Sequence, residues 1–213
     1  MNDKFYNLPE EKQRRITNAA YKVFSQNSYK KAPMSEIAAE GGISKSLLFH
    51  YFVNKKELYV YLWTNAIEMT RKAIAEYKTL ETEDFFEMLK RSMLAKCSLM
   101  REYPYLYAFL LKAYYETAAD VKGIIQESYV EAESTSEHKV FDKMDTSALR
   151  KDIDSEMMYT EIFYAVDGYM LKKYRSGQII PDEIEREIME LIEFWRRIYS
   201  QKEDGHECST KRL

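Results

Sequence analysis

One short segment carries side chains whose types and spacing suit specific polar contacts. Its outer face presents Lys45, Ser46, Phe49 and His50 at helical spacing, while the opposite face is apolar. An ammonium, a hydroxyl and an imidazole can all donate hydrogen bonds to the base edges or phosphates of a nucleic acid. So short a helix, with so mixed an outer face, is more typical of a groove reader than of a core element.

Other chemistries lack a comparable pattern. The three histidines, His50, His138 and His206, show no i, i+4 spacing that would bind a metal, and Cys97 and Cys208 are far apart. No Gly-rich phosphate loop, nucleophile elbow or His/Glu helix motif is present. The 35 acidic residues produce chance carboxylate pairs that are better interpreted as solvated helix faces. We therefore expect no catalytic residue, no metal and no cofactor.

The elements around the polar segment indicate a helix-turn-helix. A short helix is predicted from Ser35 to Glu40, and Gly41 and Gly42 end it because glycine tolerates the positive φ of a helix stop. Ser44 then precedes the second helix, where its hydroxyl can accept a free backbone N–H as an N-cap. The turn and its second helix would together position the polar face.

The rest of the chain is predicted to be helical throughout. Apolar residues recur at intervals of three and four, and strand-like alternation is scarce, which predicts an all-α fold of about nine helices. We expect a helix-turn-helix domain over residues 1–53, a larger helical domain over 54–201 and a disordered tail over 202–213. A capping box at Asn54 and Glu57 opens a long helix, 54–78, that would connect the two domains.

Charge and cysteine usage limit the setting. Residues 1–58 hold ten Lys/Arg against six Asp/Glu, whereas the remaining residues hold 22 against 29. A basic amino-terminal module on an acidic body is typical of a protein that binds DNA with one end. Two cysteines without a disulfide pattern, no signal peptide and no membrane-length apolar run lead us to expect a cytoplasmic protein.

The order of the elements and their residues together resemble the tetracycline-repressor (TetR) family of bacterial transcription regulators. The resemblance runs from about Lys12 to Tyr59, a quarter of the chain, and its most specific part is Leu48-Phe49-His50-Tyr51-Phe52-x-Asn54-Lys55-Lys56-Glu57-Leu58. The family commonly has Thr where this chain has Met34, and Tyr where it has Phe49. The second change removes a hydroxyl that would otherwise bond to phosphate.

The resemblance implies a homodimer that binds double-stranded operator DNA, with a helical body that binds a small-molecule effector. Lys45 would meet base edges or phosphate, Leu47 would touch a thymine methyl or be partly buried, and Ser35 would cap its helix or touch phosphate. The complete set of expected DNA contacts is Ser35, Ser44, Lys45, Ser46, Leu47, Phe49, His50, Tyr51, Lys55 and Lys56.

Two further sets of residues are expected in the body. Aromatic residues of the middle helices would line an apolar effector pocket, although aromatic residues at helical spacing are more often plain core. This set is Trp63, Tyr103, Tyr107, Phe109, Tyr114, Tyr115, Phe163 and Tyr164. The apolar stripes of the last two helices would form the dimer interface. That set is Ile162, Val166, Met170, Ile184, Ile188, Leu191 and Trp195.

The sequence thus favours a ligand-responsive DNA-binding regulator, more specifically a repressor released or modulated by its effector. One rival is a helical small-molecule-binding protein or enzyme that retains a vestigial helix-turn-helix. A second rival is a module that recruits another protein. Salt-dependent, sequence-selective binding to DNA separates the regulator from both.

Overall fold

A computed structural model describes residues 3–201. Within them the chain forms ten α-helices and one 3-10 helix, Thr146–Ala148, with no strand, so the predicted all-α fold is confirmed. The predicted tail, 202–213, lies outside the described residues. The α-helices are α1 (Asp3–Tyr6), α2 (Glu10–Gln26), α3 (Met34–Glu40), α4 (Lys45–Tyr51), α5 (Lys55–Glu76), α6 (Phe85–Glu102), α7 (Leu106–Tyr114), α8 (Ala119–Phe141), α9 (Ser155–Arg175) and α10 (Pro181–Tyr199).

The first helix is the one that sequence periodicity does not predict, because four residues are too few to show a period. Its Phe5 is fully buried. The Phe5 ring centroid lies 4.9 Å from that of Phe52 and 5.4 Å from that of Tyr61. Helix α1 therefore packs against the end of α4 and the start of α5.

Capping side chains mark several helix starts. The Asn54 side chain accepts the Glu57 N–H at 2.9 Å, and the Glu57 carboxylate accepts the Val53 N–H at 2.6 Å. The capping box is confirmed, with Glu57 bonding one residue further back than the usual pattern. Asp154 caps α9, and Pro181 occupies the first turn of α10.

Two apolar cores fill the described chain. The first joins α1–α5 to α7 and α8, and it includes the fully buried Leu48, Leu62 and Phe109. The second lies among α6, α9 and α10, and it includes Cys97 and Ile188. Because the first core runs from the helix-turn-helix into the middle helices, the amino-terminal module is not packed as a separate body.

Four aromatic rings form the centre of this shared core, and we call them the aromatic seam: Tyr21 and Phe24 of α2, Tyr59 of α5 and Phe109 of α7. The Phe109 centroid lies 5.2 Å from that of Tyr21, 5.2 Å from that of Tyr59 and 6.3 Å from that of Phe24. Such inclined rings add specific edge-to-face attraction to the area that they bury. The seam fixes α2 directly to α7.

A polar contact reinforces the seam. The Glu116 carboxylate, just after α7, accepts the N–H of Tyr29 at 2.8 Å. Its other oxygen accepts the N–H groups of Thr117 and Ala118 at 2.9 and 3.0 Å. We call this arrangement the Glu116 latch, because it ties the connection between α2 and α3 to the start of α8.

Candidate nucleic-acid interface

The turn between α3 and α4 is a Schellman motif centred on Gly42. The Ile43 N–H donates to the Ala38 carbonyl and the Gly42 N–H to the Ala39 carbonyl, and Gly42 has φ +63°. Gly41 has an ordinary φ of −76°, so the expectation of positive φ holds for only one of the two glycines. A Cβ on Gly41 would lie 3.1 Å from the Ile37 carbonyl oxygen, which is tighter than ordinary contact, and 3.5 Å from the Ile16 Cα of α2.

Helix α4 begins with the predicted cap and presents the predicted outer face. The Ser44 hydroxyl accepts the Leu47 N–H at 3.1 Å. On the inner side Leu48 is fully buried, which anchors α4 in the first core. The outer side is exposed: Lys45 and Ser46 are open to solvent, with the Lys45 ammonium 6.0 Å from the centroid of the Phe49 ring.

The other expected DNA contacts divide by exposure. His50 and Lys56 are exposed, and Leu47 is half-buried. Tyr51 is only 5% exposed, and its ring lies edge-on to Phe5 with 5.8 Å between centroids. The structure thus gives Tyr51 a packing role in the first core, which leaves little of it to reach phosphate.

Ser35 is exposed but does not cap α3. The helix begins one residue earlier, at the buried Met34, with Pro33 in the N-cap position and no side-chain cap bond. Met34 thus occupies the place of the family's usual threonine as a core residue. Because Met34 is the first residue of α3 and is buried in the first core, an apolar side chain suits this position.

Lys55 lies at the start of α5, but its ammonium is already engaged. It donates to the carbonyls of Tyr29 at 3.2 Å and Lys30 at 3.0 Å. Desolvation by partial burial lowers the pKa of Lys55. The contact places the exposed Lys30 and Lys31 beside the start of α5, and sequence reasoning missed both because they stand in a connection without periodicity.

The aromatic residues expected at an effector pocket do not converge on one site. Phe109 is enclosed in the aromatic seam, and Trp63 is buried with its indole N–H donating to the Ser128 hydroxyl at 3.1 Å. Tyr103 packs against the first core and Tyr107 against the second. The remaining four lie at exposed or half-exposed positions of α7, its C-cap and α9: Tyr114, Tyr115, Phe163 and Tyr164.

Most of the residues expected at the dimer interface lie inside the protomer. Ile162, Met170, Ile184, Ile188 and Trp195 are buried in the second core. Val166 and Leu191 are half-buried at its edge. The same two helices present other apolar side chains outward, namely Met157, Tyr164, Phe194 and Ile198.

Two shallow grooves open on the surface of the described chain. The groove on α8, of about 550 Å³, is lined by Gln126, Glu127, Val130, Glu131 and Ser134. The groove on α10, of about 530 Å³, is lined by Met189, Glu190, Glu193 and Arg197. In residues 3–201 no group of three His, Cys, Asp or Glu side chains is arranged to hold a metal ion. No helix within this range is both long and apolar enough to cross a membrane.

A buried two-helix frame, a capped second helix and an exposed polar face define a helix-turn-helix protein. The family model described as "Bacterial regulatory proteins, tetR family" matches residues 16–62, which run from α2 through α4 into α5. No curated protein matches the chain in the sequence comparison.

Solved structures match most of the chain. A TetR family transcriptional regulator from Chloroflexus aurantiacus is 23% identical, with a TM-score of 0.59, and the match covers 94% of this chain and 99% of that chain. A putative fatty acid metabolism regulator of Clostridium perfringens is 18% identical, with a TM-score of 0.63 and coverage of 84% and 96%. The ketosteroid transcriptional regulator KstR2 of Mycobacterium tuberculosis is 13% identical, with a TM-score of 0.66 and coverage of 92% and 98%.

The chain therefore carries a tetR-family DNA-binding domain at its amino end and has the fold of TetR-family transcriptional regulators. The matched family and the three structures are all regulators by description, and none is described as an enzyme. This confirms the resemblance that the sequence motifs indicate and supports a DNA-binding regulator.

Proposed function

We propose that the protein is a ligand-responsive repressor that binds a near-palindromic operator as a homodimer. Each protomer would lay α4 in a major groove, with the two half-sites on one side of the duplex, about one helical turn apart or somewhat more. The observation that carries the proposal is the exposed face of Lys45, Ser46 and Phe49 on a helix anchored by the buried Leu48.

Base and phosphate contacts are assigned to different residues. Lys45 and Ser46 would reach base edges, since they lie in the first turn of the recognition helix. The exposed Lys30, Lys31 and Lys56 would meet phosphate on one flank, where the start of α5 adds the positive end of its dipole. We assign Lys55 the role of holding this flank together through its two carbonyl contacts.

The homodimer is proposed to form through the outward faces of α9 and α10. Phe194 is 48% exposed and Tyr164 is 69% exposed, and both are large apolar or aromatic side chains on the two helices. Gly168 lies on α9 between Tyr164 and the end of the helix. A Cβ added to it would have no neighbouring atom within 4 Å, so another helix can approach there. Light scattering tests this: we expect a species of twice 25.4 kDa, and Phe194→Glu should convert it to 25.4 kDa.

Effector control is proposed to pass through the contacts between the amino-terminal module, residues 1–53, and the helical body, residues 54–201. The aromatic seam and the Glu116 latch link α7 directly to α2 and to the connection before α3. An effector that shifts α7 would therefore alter the spacing of the two recognition helices. Operator DNA must weaken effector binding by the same factor as the effector weakens DNA binding.

The names of two similar structures refer to fatty acid metabolism and to a ketosteroid. They support an apolar organic molecule as the effector of this chain. The abundance of Tyr and Met in the sequence, 18 and 11 residues, is consistent with a flat or flexible apolar ligand.

Fluorescence anisotropy with the DNA upstream of the protein's own gene tests the function. We expect salt-dependent binding that is tighter than binding to a scrambled duplex. Lys45→Ala should cost about 1–3 kcal/mol at one base pair and relax the preference there. Equal binding to both duplexes, or an unchanged preference in Lys45→Ala, would overturn the assignment.

A further inference from the structure

One large apolar side chain lies among the polar groups on the outer face of α4. Phe49 is 39% exposed, and its neighbours on that face, Lys45 and Ser46, are exposed and polar. The fully buried Leu48 already anchors α4 in the first core, so the Phe49 ring is not needed to hold the helix in place. The ring is therefore available to a partner that α4 meets with its outer face.

The Phe49 ring lies beside a cation. Lys45 precedes Phe49 by four residues, about one turn of the helix, and its ammonium lies 6.0 Å from the centroid of the ring. A lysine ammonium at this distance is attracted by the negative face of an aromatic ring. The cation and the ring therefore form one exposed patch, which we call the Lys45–Phe49 pair.

The charge of the surrounding module favours DNA as the partner that covers this pair. Lys30, Lys31 and Lys56 are exposed near the start of α5, which follows α4 in the chain. An apolar protein surface would leave these cations without counter-charge. A duplex supplies phosphates for the lysines and base edges for the outer face of α4.

The chemistry of the ring selects one group of the duplex. A phenyl ring carries no hydroxyl or amide, so it cannot donate a hydrogen bond to a phosphate oxygen or to the polar edge of a base. The apolar group that the base pairs present in the major groove is the C5-methyl group of thymine, and phenylalanine is among the side chains that contact it. A ring placed there would distinguish thymine from the other three bases by a single methyl group.

We propose that Phe49 is a specificity-determining residue whose ring packs against the C5-methyl group of one thymine in each operator half-site. Lys45 then lies over a base pair close to that thymine. One turn of helix advances about 5.4 Å and successive base pairs are about 3.4 Å apart, so the two contacts fall within about two base pairs of each other. The inference rests on the proposed function, because it assigns one base contact of the same interface.

Replacing thymine by deoxyuridine tests the contact, because it removes the methyl group and keeps every hydrogen-bonding group of the base. The probe is the duplex that the full chain selects from a pool of random double-stranded DNA. Its thymines are replaced one position at a time, in both half-sites together, and binding is measured by fluorescence anisotropy. Burying one methyl group changes an affinity by about 4-fold, so we expect one position at which uracil weakens binding roughly 15-fold over two half-sites. The absence of any position that responds to the loss of its methyl group would overturn the proposal.

Variants of Phe49 identify the side chain that contacts the methyl group. Phe49→Ala should bind the thymine and uracil duplexes equally, and Phe49→Gln, which replaces the ring with an amide, should give the same result. Phe49→Tyr keeps the ring and should keep the preference for thymine. Because Phe49 is partly exposed and lies outside the buried core, the melting temperature should change little in all three variants. A preference for thymine that persists in Phe49→Ala and Phe49→Gln would refute the assignment.

Leu47 provides the matched control. It is half-buried on the same helix and is the other apolar side chain expected near a thymine methyl group. Leu47→Ala should change the affinities for the thymine and uracil duplexes by the same factor, so that the preference between them persists. A preference that is lost in Leu47→Ala and retained in Phe49→Ala would transfer the contact to Leu47 and overturn the proposal.

Lys45→Ala tests the spacing within the pair. It should relax the preference at a base pair that lies within about two positions of the methyl-dependent thymine. A relaxed position further along the duplex would show that the two side chains do not contact neighbouring bases, and would overturn the arrangement of the pair.

The same measurements separate this inference from the proposed function. A chain that selects no duplex refutes both. A chain that binds its selected duplex with salt dependence, but without a methyl-dependent thymine, refutes the contact of Phe49 and leaves the proposed function standing.

Discussion

The Glu116 latch yields the most detailed prediction. Its carboxylate accepts three backbone N–H groups at 2.8–3.0 Å, and one of them, from Tyr29, belongs to the amino-terminal module. Glu116→Gln keeps the shape but replaces one acceptor oxygen with an NH₂ group. If the remaining oxygen serves Thr117 and Ala118, the NH₂ group then faces the Tyr29 N–H, donor against donor.

The magnitude follows from the loss of one charge-assisted hydrogen bond. Hydrogen bonds to charged groups contribute roughly 1.5–3 kcal/mol, so we expect Glu116→Gln to lower the free energy of unfolding by about 2 kcal/mol. Urea unfolding measures this loss. Glu127→Gln on the exposed face of α8 is the matched control, since it removes the same charge without breaking a hydrogen bond within the described chain.

The pH dependence provides a second test. Burial by itself would raise the pKa of Glu116, but the N–H groups of Tyr29, Ala118 and Thr117 outweigh it and lower the pKa. The stabilisation is therefore fully present above the ordinary pKa of glutamate and is lost as the pH falls through the lowered value. Glu116→Gln should lack this part of the acid-induced loss of stability.

Amide hydrogen exchange gives the local readout. The Tyr29 N–H should exchange faster in Glu116→Gln, while amides in the second core keep their protection. Unchanged exchange at Tyr29, together with an unfolding free energy equal to that of Glu127→Gln, would refute the latch.

Three further predictions concern lysines in different settings. Lys56→Ala should weaken binding to every duplex and reduce the salt slope by about 1, whereas Lys55→Ala should mainly lower the melting temperature, because the Lys55 ammonium donates to two backbone carbonyls. Anisotropy at several salt concentrations measures the first effect and thermal melts measure the second. Equal salt slopes for the two variants would contradict the assignment. Lys78 follows the C-cap of α5 and has φ 54°, a conformation that favours glycine, so Lys78→Gly should raise the unfolding free energy measured in urea by about 0.5–1 kcal/mol. A loss of stability would contradict this. Lys96 is half-buried, and desolvation lowers its pKa, so Lys96→Met should stabilise the protein by about 1 kcal/mol at neutral pH, with a gain that shrinks as the pH rises towards the ordinary lysine pKa.

Local sequence signals predict the helices and their ends well. Asn54, Asp154 and Pro181 mark helix starts because capping is settled by a few neighbouring atoms. Gly42 marks the turn for the same reason, since its positive φ is a local requirement. Helix α1 is not predicted from the sequence, because its signal is a single aromatic residue, Phe5, whose burial depends on rings that are distant in the sequence.

The side on which an apolar stripe is buried is not a local property. Ile184 and Ile188 make a wide stripe on α10 that suits a partner protomer as well as the protomer's own α6, and the fold buries both residues internally. Tyr51 similarly has the sequence context of a phosphate contact but lies against Phe5. Periodicity shows that a face is apolar, and only the assembled fold decides what covers it.

The aromatic seam also limits how the protein can be recombined. Bacterial regulators are attractive parts for chimeras in which one DNA-reading module is exchanged for another. Here the cut after residue 53 would leave Phe109 facing a foreign α2, with a cavity or a clash in place of Tyr21 and Phe24. A working exchange would need to transfer the facing side of α7 together with the DNA-binding module. The residues that must move together for DNA recognition are therefore discontinuous in the sequence.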